Sequence, residues 1–205
     1  MMPHTIWLVT SLSVAAAILL PIRARSEQAP TMAASSVYTA MLADSRCSGK
    51  GTAGARGRDL VMVHDVVVPM RQWWWNAFPH SDFPEQIPTW LPEIRSDTLQ
   101  SFLELSARDS LVDLSVESGL ALAWINRADM EQLSTRGAFW QEFSRRHPSA
   151  SGYIELSSLG WSGDRRQALG YCGRTSESLT GNGFLVLLRY DERWSAIRWR
   201  QVWQS

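Results

Sequence analysis

The chain has 205 residues, and its 20 basic side chains balance its 20 acidic ones, so the net charge is zero. Acids and bases mix along its length with no basic block and no acidic tail, which argues against nucleic acid and against a strongly charged partner. Lys50 is the only lysine; an arginine excess of this kind reads first as codon bias, although arginine also suits planar recognition.

The first element is apolar. Residues 6–22 carry few polar side chains and would make a helix of about 25 Å. That is short against a bilayer core of about 30 Å, and it suits the apolar region of a secretory signal peptide. Arg23 and Arg25 follow it and the preceding residues hold no Lys or Arg, an asymmetry that also fits an uncleaved anchor. Residues 1–33 are therefore read as a signal peptide or N-terminal anchor, and 34–205 as a single domain that is periplasmic or secreted. The alternative is a protein anchored to the membrane by residues 6–22, with membrane contact only through that leader.

The next segments alternate between helix and strand signals. Residues 36–44, "SVYTAMLAD", place Val37, Ala40 and Met41 at helical spacing. The glycine-rich stretch 48–58 reads as a loop. Residues 60–68, "LVMVHDVVV", form a β-branched run expected as an inner strand that ends at Pro69. Pro79, Pro84, Pro88 and Pro92 then make 70–94 an irregular, tryptophan-bearing connection. Asp97, with Gln100 three residues on, predicts the cap of a helix running to about Ala107. Residues 111–116 are ambiguous, 119–125 read as a buried strand, and Asn126 as the cap of a short helix. A further helix carries Phe139, Trp140 and Phe143 inward and stops before Pro148.

The last 55 or so residues are mostly strand, as four apolar runs separated by turn signals. The fold class is α+β: a C-terminal four-stranded antiparallel meander covered on one face by helices.

That tail, "ELSSLGWSGDRRQALGYCGRTSESLTGNGFLVLLRYDERWSAIRWRQVWQS", resembles a group of exported bacterial proteins to which no reaction or ligand is assigned. Their tails run "QALVYVG", then a loop with two cysteines, then "G-YVLLEK-DGRW". "GAFWQEFSRRHPSASG" and "SVYTAMLAD" are similar to that group's helices. The resemblance implies a small exported α+β domain. Ser176 and Thr180 stand where the group has its loop cysteines, so whatever that pair does in the relatives is not available to this chain.

Few residues point to chemistry. Trp73, Trp74 and Trp75 are consecutive. Burying each would contribute about 4 to 6 kcal/mol, so they read first as core, and otherwise as a stacking platform or partner patch. Arg198 and Arg200 share strand parity on the last hairpin, as do Trp199 and Trp203, and offer a surface for an acidic envelope polymer. Cys47 and Cys172 are the only cysteines; they could pair in an oxidising compartment or pack as two small apolar residues. His64 and Asp65 point to opposite faces of a strand, so a dyad at His64 needs a carboxylate from another element. His80 lies near Asp82 in a loop. "GWSG" around Ser162 falls one residue short of a nucleophile elbow and sits between strands. No metal-ligand motif and no cofactor motif is present, and none is expected.

The expected function is therefore an exported, non-catalytic binding or interaction domain of the cell envelope with an envelope partner or ligand, no nucleic acid and no cofactor. The alternative is a small hydrolase using a His-based dyad near His64 or His80. The binding reading nominates Trp73, Trp74, Trp75, Arg198 and Arg200 as ligand contacts.

Overall fold

The computed structural model describes residues 34–49, 60–64, 83–106, 121–135, 138–176 and 180–205. The leader, the loop at 50–59, the three consecutive tryptophans, His80 and the ambiguous segment 111–116 lie outside them. Among the described residues no helix is long and apolar enough to cross a membrane.

Helices α1 (Ala34–Ala43) and α2 (Ser45–Ser48) precede strand β1 (Leu60–His64). Helices α3 (Phe83–Trp90) and α4 (Ser96–Leu105) lead to strand β2 (Ala121–Ile125), then to helices α5 (Arg127–Thr135) and α6 (Phe139–Arg146). Five strands complete the chain: β3 (Ala150–Leu156), β4 (Gly160–Trp161), β5 (Gln167–Ser176), β6 (Thr180–Asp191) and β7 (Arg193–Gln204). All seven strands join one sheet in the order β2-β1-β3-β5-β6-β7, with β4 paired beside β5. β1 runs parallel to β2 and to β3, and every later pairing is antiparallel.

The C-terminal strands are antiparallel, as expected, but they belong to a larger mixed sheet with helices on both faces. β1 and β3 show why one cover would not do. Val63 and Ile154 are paired neighbours and point to one face; Met62 and Tyr153 are the preceding pair and point to the other. Strands apolar on both sides need two layers against them.

On the first face, α1 lays Val37, Met41 and Leu42, all fully buried, against Ile154, Ala168 and Val186. The Tyr38 hydroxyl donates to the Ser157 carbonyl at 2.9 Å. Cys47 on α2 is bonded to Cys172 on β5, 125 residues away, and both are fully buried in this cluster. Asp44 caps α2, accepting from the Arg46 N–H, and Gly49 ends it in the left-handed region at φ +67°. A side chain at Gly49 would collide with the Arg174 guanidinium as well as strain the backbone.

On the second face the apolar cover comes in two patches. Helices α3 and α4 set Phe83, Ile87, Leu91 and Phe102 on Leu169, Tyr171, Leu185 and Leu187. Helices α5 and α6 set Leu133 and Phe143 on Met62, Ile125 and Ala150. α4 comes so close to β4 that a Cβ on Gly160 would fall within the backbone of Phe102. Glycine permits that approach.

Four expectations are corrected. α3 forms despite its prolines, because Pro84 lies in the first turn, where its missing N–H has no helical partner; Pro88 alone forfeits a helical bond. The N-cap of α4 is Arg95 without a side-chain cap bond, while Asp97 lies inside the helix and accepts from the Gly163 N–H at 2.9 Å. Among the described residues β2 pairs with β1 alone, so it is an edge strand, and of its own residues only Ile125 is buried. Trp199 and Trp203 do not share a face. The β6–β7 register shifts between Gly183 and Phe184, making Val202 an extra residue; Trp199 then packs in the first-face cluster and Trp203 in the second. The Asn126 cap holds: its side chain accepts from the Asp129 N–H at 2.8 Å.

Candidate functional site

The antiparallel β5–β6 ladder puts the start of one strand beside the end of the other, with Gln167 opposite Arg189. At that end of the sheet an open cleft of about 400 Å³ is walled by Arg95, Asp164, Arg166, Arg189, Tyr190 and Asp191, with Gln167 at its base. Its frame is a set of short hydrogen bonds. The buried Ser162 hydroxyl donates to Asp164 Oδ1 at 2.7 Å and accepts from the Gln167 N–H at 2.8 Å. Gln167 Oε1 accepts from the Arg95 N–H at 2.8 Å, and its Nε2 donates to the Glu93 carbonyl at 3.0 Å. The Tyr190 N–H donates to the Arg166 carbonyl at 2.8 Å.

The charges divide into two groups. Arg95 donates to Asp164 Oδ2 at 2.7 Å and to Asp97 Oδ2 at 3.1 Å. The Ser162 hydroxyl, followed by Arg95, holds the Asp164 carboxyl at about 2. These groups are already satisfied. The guanidinium groups of Arg166 and Arg189 make no ion pair and no hydrogen bond among the described residues. Arg189 lies within electrostatic reach of Glu93, but that carboxylate is paired with Arg198, the principal reason it lies below its ordinary range. Asp191 is the remaining charged group of the lining. A frame that is internally bonded, with two planar cationic donors against one carboxylate left over at its rim, is suited to an oxyanion.

The residues nominated from the sequence fall elsewhere. Arg198 is paired with Glu93. Arg200 lies over the Trp90 ring, 4.9 Å from its centroid. Both therefore clasp the chain around α3. Trp73, Trp74 and Trp75 lie outside the described residues, and so does His80. Cys47 and Cys172 form the disulfide already described. Ser176 and Thr180, where the resemblance has cysteines, face each other across β5–β6 with their hydroxyl oxygens 2.9 Å apart.

His64 ends β1. One residue beyond the Val63–Ile154 pair, it shares the second face with Glu155 on β3. Glu155 stands opposite Gly173, and the Tyr171 ring leans over that glycine, where a Cβ would meet its hydroxyl. The Tyr171 hydroxyl accepts from Trp203 Nε1 at 2.8 Å. Burial pushes the phenol of Tyr153, two residues from Glu155 on the same face, up to about 12. Burial also pushes the Glu155 carboxyl up to about 7. This polar row runs from one apolar patch of the second face, which holds Tyr171, to the other, against which Tyr153 packs.

Reading the sequence missed Arg166 and Glu155. Arg166 sits in a turn signal, "SGDRRQ"; pairing the two strand ends would have brought it to Arg189. Glu155 alternates with Ile154 and Leu156, a pattern that usually marks an open face, whereas in the structure it is half-buried and desolvated. Comparison of the chain with known families, curated proteins and solved structures yielded no match.

Proposed function

We propose that this chain is an exported binding domain of the cell envelope, and that it holds a small carboxylate- or phosphate-bearing ligand in the arginine cleft. The observation that carries the reading is the pair of guanidinium groups, Arg166 and Arg189, without an ion pair or hydrogen bond among the described residues, on the wall of a cleft where Arg95, Ser162, Asp164 and Gln167 are held in a hydrogen-bonded frame and Asp191 is the one further charged group of the lining. A cleft of about 400 Å³ has the size of small-molecule sites. The apolar leader supports export. So does the Cys47–Cys172 bond, because disulfides persist in oxidising compartments.

Calorimetric titration with glucose 6-phosphate and glucuronate, with glucose as the neutral control, tests the ligand class. Saturable binding of either anion, weakened about tenfold or more in Arg166→Gln/Arg189→Gln, is the expected result. Equal binding by the variant, or no binding of either anion, would remove the cleft from consideration. Fractionation of cells expressing the full chain tests export separately; recovery in the cytosol with both thiols free would end that part of the reading.

A further inference from the structure

The polar row on the second face is separate from the arginine cleft. Gly173, opposite Glu155, is six residues along β5 from Gln167 at the cleft, a distance of about 20 Å at the rise of a strand.

Glu155 is the unusual member of the row. It makes no hydrogen bond and no ion pair among the described residues. Its surroundings strip water from the carboxyl, yet neither oxygen is fully sealed. A desolvated carboxyl without a partner costs stability, and a sequence that keeps one in a sheet interior invites the question of what completes it.

The groups around it answer by their chemistry. On its face stand His64 from β1, Tyr153 from β3 and Tyr171 from β5, with Trp203 from β7 bonded to the Tyr171 hydroxyl. From α6, Trp140 stacks on Tyr153 at 5.9 Å and Phe139 tilts against it at 5.8 Å. The half-buried Arg174 pairs with Ile154 and so lies on the opposite face, beside Gly49. The row thus offers one carboxyl, phenol oxygens and aromatic rings. The arginines of that face on β6 and β7 are engaged or placed elsewhere, Arg198 with Glu93, Arg200 over Trp90 and Arg189 at the cleft, and none of them pairs with Glu155. A hard divalent metal ion would want several more oxygen ligands. An ammonium group wants one carboxylate, neutral acceptors and ring faces.

We propose that this row is a second binding site and that it takes the ammonium group of an organic amine. On binding, the Glu155 carboxyl releases its proton to solvent and the ammonium takes its place as the counter-charge.

The experiment is an NMR titration of the full chain with butylammonium, with butanol as the neutral control. Saturable binding of butylammonium alone is expected. Affinity should rise about thirtyfold from about pH 5.5 to about pH 8, following ionisation of a carboxyl centred near 7. Glu155→Gln should abolish binding and Glu155→Asp should retain some of it, so a folding defect in one variant does not stand for both. Arg166→Gln/Arg189→Gln should leave amine binding unchanged. Butylammonium binding that is absent at about pH 8, that persists in Glu155→Gln, or that ignores pH would overturn the assignment.

Discussion

The two faces of the sheet are built on different plans. The first is a single apolar cluster running from Val37 to Trp194, closed by α1 and fastened by the Cys47–Cys172 bond. The second is two apolar patches, one under α3 and α4 that includes Tyr171 and one under α5 and α6 that takes in Tyr153, with Glu155 on the strand face that joins them. A face meant only for stability has no reason to leave an unpartnered carboxyl at its centre. The comparison suggests a division of labour, in which the first face holds the fold together and the second tolerates a destabilising row in exchange for chemistry.

The largest expected effect tests the first face. The disulfide closes a loop of about 125 residues, so removing it as Cys47→Ala/Cys172→Ala should cost about 4 to 5 kcal/mol in urea unfolding. A loss below about 1 kcal/mol would mean that α1 packing alone secures this face. The second test concerns the split of the other face. Phe102→Ala and Phe143→Ala each empty a fully or almost fully buried site, one per patch, and each should cost about 3 to 4 kcal/mol. If the patches are independent, the double variant should lose the sum to within about 0.5 kcal/mol. A larger coupling would show one continuous core in which the polar row is merely an interruption.

Much of the frame was legible in the sequence, and the reasons are local. The apolar spacing of Val37 and Met41, the Asn126 cap and the apolar runs from Ala150 onward specify their elements through near neighbours. The second helical layer was not legible. It depends on β1 entering the sheet in parallel beside β3, a pairing across about 90 residues that no local pattern encodes. The α3 helix was hidden by prolines whose positions in the turn matter more than their number. The arginine cleft was not legible, because Arg166 and Arg189 become neighbours only through the β5–β6 ladder. Arg198 and Arg200 looked equally free until Glu93 and Trp90 claimed them.

Glu155 provides the sharpest test of what the second face gives up. Its carboxyl titrates near 7 in the fold, above its ordinary range, because of desolvation. The folded state therefore keeps the proton longer than the unfolded chain does. Stability should be full below about pH 4.5, decline as the pH rises toward about 7, and stay low above it. The decline attributable to this group is about 2 to 3 kcal/mol, after allowing for its residual contact with water. Glu155→Gln should flatten that decline, so urea midpoints of the two proteins should diverge from about pH 5 to about pH 8, with the variant the more stable at the upper end. Parallel curves would mean that water or a proton partner already compensates the carboxylate, and the contrast between the faces would lose its energetic basis.

The smallest effect is expected at the cleft, and its smallness is informative. The guanidinium groups of Arg166 and Arg189 have no ion pair or hydrogen bond to lose among the described residues, so Arg166→Gln/Arg189→Gln should leave the unfolding free energy within about 0.5 kcal/mol of the parent. Arg95 is their control. It sits in the same wall but holds Asp164 and Asp97, and its backbone N–H is tied to Gln167. Arg95→Gln frees the Asp164 carboxylate, and the thermal midpoint should drop further than in the double variant. Adding salt should shrink that difference, since these pairs are exposed and screened. Should the double variant prove the less stable, Arg166 and Arg189 would be structural cations like Arg95, and the cleft would have no spare charge with which to bind anything.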